Sequence, residues 1–193
     1  MDHVVLPLDE DHVEAVAALV DEAAAMEVPT GEWSAPHVTL VAYEGVPRSV
    51  ALKAITVGVA GTPPFALRAH GYGVFGSTGD GGLNLHVPVV RGRELDVLHE
   101  QVRDALLGVG AEVAGWTEPD VWSPHITLLD GDLDALDVAA GIACLAAHHH
   151  PSWHVPVDRL EVWGGWPERN RPGDEVRFRR PWPPVGPAPR RMG

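Results

Sequence analysis

Two strings in this chain carry the same reactive residues at the same spacing: WSAPHVTLV at residues 33–41 and WSPHITLL at residues 122–129. Each holds tryptophan, serine, proline, histidine, an aliphatic residue, threonine and leucine in that order, the first with one alanine inserted before the proline. Their histidines, His37 and His125, stand 88 residues apart in a chain of 193. Imidazole titrates near neutrality, so one ring can take a proton from an attacking oxygen while a second, protonated, gives one to a leaving oxygen. Two residues beyond each histidine come Thr39 and Thr127. Their hydroxyls can donate hydrogen bonds to the non-bridging oxygens of a phosphate, orienting it and stabilising the charge that grows in the transition state. The chemistry is in-line displacement at phosphorus, with acid and base on opposite sides and no metal or other cofactor required.

Those side chains need strands to hold them. Along a strand, residues i and i+2 share a face about 6 to 7 Å apart, so His37 and Thr39 project together while Val38 and Leu40 face the core, and His125 and Thr127 do the same in front of Ile126 and Leu128. Around each string the hydrophobic pattern gives the same order of elements. The first half reads as strand 3–8, helix 11–26, strand 37–43, helix 47–59 and strand 65–75. The second reads as strand 83–90, helix 93–107, strand 125–129, helix 133–147 and strand 154–163, and EVRFRR adds a last strand in a hairpin with 154–163. The expectation is an α+β fold of two duplicated βαβαβ lobes related by a pseudo-two-fold axis, with equivalent residues facing each other across a central groove. One bilobal domain would span 1–180, with lobes of roughly 1–80 and 81–180, before a proline-rich tail at 181–193.

A lone His-x-Thr has little diagnostic value. Two matching strings, each in the middle strand of a matching half, have far more; the bland alternative is a duplication whose histidines only cap buried strands. The pair PHVTL and PHITL, their half-chain separation and the duplicated element order resemble the two-histidine phosphoesterase superfamily, which includes 2′-5′ RNA ligase-like proteins and cyclic nucleotide phosphodiesterases. The resemblance covers residues 1 to about 165. It implies a bilobal fold, catalysis by His37 and His125, phosphate binding by Thr39 and Thr127, and metal-independent hydrolysis or formation of 2′,3′-cyclic or 2′-5′ phosphodiesters in small nucleotides or RNA ends. Tyr43, Phe75, Trp122 and Trp163 are candidates for stacking a nucleobase, as is Trp33, although each could equally serve as packing. Hydrolysis and ligation pass through one transition state, so the motifs do not separate them.

Composition narrows the partners. Hydrophobic residues make up 45% of the chain and the formal charge is −13. Residues 1–158 hold 6 Lys and Arg against 23 Asp and Glu, a net −17, whereas residues 159–193 hold 8 against 4, a net +4. Such an acidic body argues against gripping long RNA through counterion release, while Arg177, Arg179 and Arg180 either meet a phosphate locally or solvate an exposed strand. A single cysteine, Cys144, excludes an internal disulfide. With neither an apolar leader nor a membrane-length apolar run, the chain is expected to be a soluble, cytoplasmic monomer that meets no membrane.

Two further motifs tempt other readings. GYGVFG at 71–76 satisfies G-x-G-x-x-G, but no helix follows it to receive a pyrophosphate, so its glycines are assigned to a strand end and loop. His148–His150 could bind metal with nearby carboxylates, yet adjacent helical positions diverge, and a favourable helix C-terminus is the simpler role. The rivals to a metal-independent phosphoesterase are therefore a metal-dependent hydrolase and a non-catalytic module that binds nucleotides or RNA ends.

Overall fold

Helices form where the apolar spacing predicts them. Asp9 caps α1 (Glu10–Ala25), its carboxylate accepting the His12 backbone N–H at 3.0 Å, and Glu10 and Asp11 set negative charge at the positive end of the helix. Val16, Leu19, Val20 and Ala23 recur at steps of three and one and form its buried face. The shorter α2 (Arg48–Gly58) buries Ala51 and Ile55, and α3 (Arg93–Gly108) buries Leu95, Leu98, Val102 and Leu106. The start of α4 (Ala135–His148) lies two residues beyond the expected 133, because Asp134 and Asp137 form a reciprocal capping box. The computed structural model describes residues 1–30, 35–76, 82–164 and 174–178. Trp33, Arg179, Arg180 and the tail at 181–193 lie outside them.

The strands are β1 (Asp2–Pro7), β2 (His37–Glu44), β3 (Phe65–His70), β4 (Gly73–Gly76), β5 (Leu83–Pro88), β6 (Glu112–Val113), β7 (His125–Leu133), β8 (Ser152–Val157), β9 (Arg159–Trp163) and β10 (Asp174–Arg177). They form three sheets, in the orders β10-β9-β1-β2-β6, β4-β5-β7 and β3-β8. The expected hairpin of the last strand forms, β10 running antiparallel to β9. The continuous strands expected over 65–75 and 154–163 do not. Gly71, at φ +72°, ends β3 before β4, a conformation glycine adopts without steric penalty, and Asp158 separates β8 from β9. β3 and β8 pair with each other from Phe65 opposite Val157 to His70 opposite Ser152. Beyond these breaks the chains part: β4, from the first half, pairs with β5, and β9, from the second, pairs with β1. The halves thus exchange strands.

Duplication extends to the register. Pro7, Leu6 and Val5 of β1 oppose His37, Val38 and Thr39 of β2, while Pro88, Val87 and His86 of β5 oppose His125, Ile126 and Thr127 of β7. Each pair carries an irregularity at the same place, between Val4 and Val5 and between Leu85 and His86. Helix α1 packs on α4 and α2 on α3, whereas β2 and β7 meet without being sheet neighbours. The result is the expected α+β bilobal architecture. Among the described residues no helix is long and apolar enough to cross a membrane.

Candidate active site

A groove of about 670 Å³ is lined by His37 and Thr39 of β2 and by His125 and Thr127 of β7. Strand alternation puts them there: these four are partly exposed, while Val38, Leu40, Ile126 and Leu128 behind them are buried. The two motifs converge on one space.

Both imidazoles are oriented by the same local device. Nδ1 of His37 lies 2.8 Å from the Ala35 carbonyl, and Nδ1 of His125 lies 2.8 Å from the Ser123 carbonyl. A carbonyl only accepts, so each Nδ1 carries the hydrogen and the nitrogen that gains and loses a proton is Nε2. In each case the accepting residue precedes a proline, Pro36 or Pro124, which restricts that residue to extended backbone. The alanine inserted in the first string therefore changes the identity of the acceptor but not its position relative to the histidine. Burial holds His125 below the usual imidazole range, opposed by its bond to Ser123 and by the Asp130 carboxylate.

The candidate aromatics separate into distinct roles. Phe75 on β4 lines the groove with its ring 4.6 Å from that of His125, edge to face, and 4.4 Å from that of His86. Trp163 on β9 stands 4.6 Å from His37, but only 6% of it is exposed, and its indole N–H donates to Glu161 at 2.8 Å. It walls the His37 ring and offers no open face to a base. Phe75 and Trp163 are themselves 88 residues apart and pair with Asn84 and His3, so each motif histidine meets an aromatic ring on an exchanged strand. Trp122 lines the groove only by its edge, because His99 stacks on it at 4.0 Å and Arg91 sits 5.5 Å from its centre. Tyr43 corrects its expected role: it is fully buried, six residues or about 20 Å along β2 from His37, with its hydroxyl 3.5 Å from Asp2.

The groove residues that sequence did not single out for the site include His86, Asn84 and Trp116. The signal for His86 was available, since aligning Pro88 with Pro7 places it opposite Thr127. Trp116, in the short 3₁₀ turn Gly115–Thr117, is 38% exposed beside His3, and Val121 at the same rim is 63% exposed. Away from the groove, Glu22 of α1 takes hydrogen bonds from both His148, at 3.0 Å, and His149, and the latter bond leads in holding the Glu22 carboxyl below its usual range. These histidines join α1 to the end of α4. Among the described residues no group of three or more His, Cys, Asp or Glu is arranged to hold a metal ion. Arg177 pairs with Glu175 and Asp158 and does not line the groove.

The family model described as the 2′-5′ RNA ligase superfamily matches residues 7–165. Among solved structures, TT0787 of Thermus thermophilus superposes with a TM-score of 0.65 at 16% identity, over 92% of this chain and 97% of that one. LigT of E. coli, complexed with 3′-AMP, superposes at 0.59 and 18% identity, over 93% of this chain and 97% of that one. A protein described as a phosphoesterase does so at 0.57 and 18%, over 93% and 98%. At these identities the likeness is one of fold. The sequence matches no curated protein.

Proposed function

The chain belongs to the 2′-5′ RNA ligase superfamily of two-histidine phosphoesterases, and from that premise we propose that it is a metal-independent enzyme hydrolysing, or reversibly forming, 2′,3′-cyclic or 2′-5′ phosphodiester bonds of small nucleotides or RNA ends. The observation that carries this reading is the mirrored pair of Nδ1 bonds, His37 to Ala35 and His125 to Ser123, which supports proton transfer through Nε2 on both sides of one groove. Burial favours the neutral form of His125, which suits the base. In hydrolysis its Nε2 takes a proton from water as the water oxygen bonds to phosphorus. The bond from phosphorus to the ribose oxygen breaks, and His37 in its imidazolium form gives that oxygen a proton. Thr39 and Thr127 hold the non-bridging oxygens throughout.

The lining favours a small substrate. No Lys or Arg lines the groove among the described residues, so the phosphate charge is met by one imidazolium and two hydroxyls. That set suits a singly charged diester better than a run of phosphates. Trp116 and Val121 at the rim give a base an apolar surface. The crystal structures of E. coli LigT complexed with 3′-AMP and with ATP support a nucleotide as the ligand. A single cysteine, Cys144, accords with work in the reducing cytoplasm.

Turnover of 2′,3′-cyclic nucleotides and 2′-5′-linked dinucleotides, with and without chelator, tests the proposal. Release of a nucleoside monophosphate from a cyclic substrate, insensitive to EDTA, is expected. Activity lost in EDTA and restored by zinc or manganese would move the chemistry to a metal, and binding without turnover would reduce the groove to a binding module.

A further inference from the structure

The two halves match at their motif histidines and differ in what stands behind their threonines. Opposite Thr39 is Val5, buried and aliphatic, with no side-chain donor to offer. Opposite Thr127 is His86, also buried, and two residues before it on β5 is Asn84. Nδ1 of His86 lies 3.1 Å from Oδ1 of Asn84, and Nδ2 of Asn84 lies 3.4 Å from Oγ1 of Thr127. The directions follow from the groups. Asn84 Oδ1 can only accept, so His86 donates from Nδ1; the Asn84 amide N–H donates to Thr127 Oγ1, which uses one of its lone pairs and leaves the hydroxyl hydrogen to be given to another acceptor. Thr127 faces the groove, so that acceptor is the substrate phosphate.

Two more features fit a built relay. Burial, with the His125 ring 5.0 Å away as the next contribution, pushes His86 down to about 4, so the ring is neutral at neutral pH. Space for it is made by Gly73: a Cβ at that position would collide with His86 Nε2 and stand 3.0 Å from Cγ of Pro88. This is a structural use for one glycine of the GYGVFG string.

We propose that His86 and Asn84 are positioning residues that fix Thr127 as a hydrogen-bond donor to the phosphate, making the His125–Thr127 side the pre-organised half of the cradle. The identity of the ligand rests on the phosphoesterase reading; the relay itself does not. Pre-organised donors do not have to reorganise as charge develops, so the relay acts mainly on transition-state binding.

Two experiments test it. Imidazole ¹⁵N spectra of the substrate-free protein report which nitrogen of each neutral ring bears the hydrogen. His86 is expected to be protonated at Nδ1, with that preference lost in Asn84→Ala; a His86 protonated at Nε2 would reverse the relay and overturn the proposal whether or not any nucleotide is turned over. The second experiment is a double-mutant cycle in kcat/KM on a 2′,3′-cyclic nucleotide. Asn84→Ala should lower it about tenfold in the parent and less than about twofold in a Thr127→Val background, the scale expected when one hydrogen bond acts only through its partner. His86→Gln, which keeps a side-chain N–H, should retain more activity than His86→Leu at matched melting temperature. Equal losses from Asn84→Ala in both backgrounds would mean that Asn84 does not act through Thr127. A parent that turns over no phosphodiester would count against the functional reading, and the tautomer would still decide the relay.

Discussion

Trp122 donates its indole N–H to the backbone carbonyl of Thr39 at 3.0 Å, so the segment leading into the second His-Thr pair holds the strand that carries the first. His99, stacked on the indole, is itself fixed by a 2.9 Å bond from Nε2 to the Thr117 carbonyl. Three residues on from Trp122, His125 enters the groove. The two motifs are thereby tied together by a neutral, partly buried hydrogen bond.

Trp122→Phe keeps the ring and removes the donor. Stability in urea should fall by about 0.5–1.5 kcal/mol, the usual net contribution of one hydrogen bond, and turnover should fall with it as Thr39 loses its anchor. A variant as stable and active as the parent would show that the brace holds nothing.

Gly73→Ala tests the close approach of β4 to β5. The added methyl collides with His86 Nε2, so a loss of about 1–3 kcal/mol is expected from overpacking, together with lower activity. Combining it with His86→Ala should recover part of the stability and none of the activity. Unaltered melting and turnover in the single variant would contradict the packing described for this strand pair.

The helices and the doubled motif were legible in the sequence because both rest on local pattern: apolar spacing along α1 and α3, and strand alternation through His37–Thr39 and His125–Thr127. Pairing was harder to read. The strand pattern runs through Gly71 and Asp158 with little interruption, and only long-range pairing shows that the chain changes sheets there. β6 has two residues, too few to make a pattern, and β7 continues to Leu133 through Asp130 because Leu83 pairs with Leu133. Tyr43 shares the sequence parity of His37, but the irregularity between Val4 and Val5 leaves one extra residue on β2 between Thr39 and Val41, which breaks the alternation and puts Tyr43 in the core.

The buried His86 should make the protein sensitive to acid. Its pKa is about 4 in the folded state against about 6.5 unfolded, so the unfolded chain binds the extra proton as pH falls from 6.5 to 4 and stability drops across that window; below it the loss is complete, and above it there is none. Up to about 3 kcal/mol is at stake from this group. Denaturation of the parent and of His86→Gln at pH 7 and pH 4 should show a smaller drop in the variant, whereas equal drops would place the titration elsewhere.

Substrate length can be read from salt. Thr39, Thr127 and an imidazolium engage about one phosphate, so binding of a short oligonucleotide ending in a cyclic phosphate should change little between low and moderate salt. A long RNA should bind no more tightly, given the net −17 of residues 1–158. Much tighter binding of the long RNA, falling steeply with salt, would point to an extended nucleic-acid surface.

The most direct measurement is kcat/KM for a 2′,3′-cyclic nucleotide across pH in the parent, His37→Ala and His125→Ala, with circular dichroism on each. The parent should give a bell, its acid limb set below the usual imidazole range because burial holds His125 low and protonation there removes the base. Each alanine variant should lose at least about a hundredfold with its spectrum unchanged, since both side chains face a groove. Full turnover in either folded variant would contradict acid–base catalysis by the paired histidines.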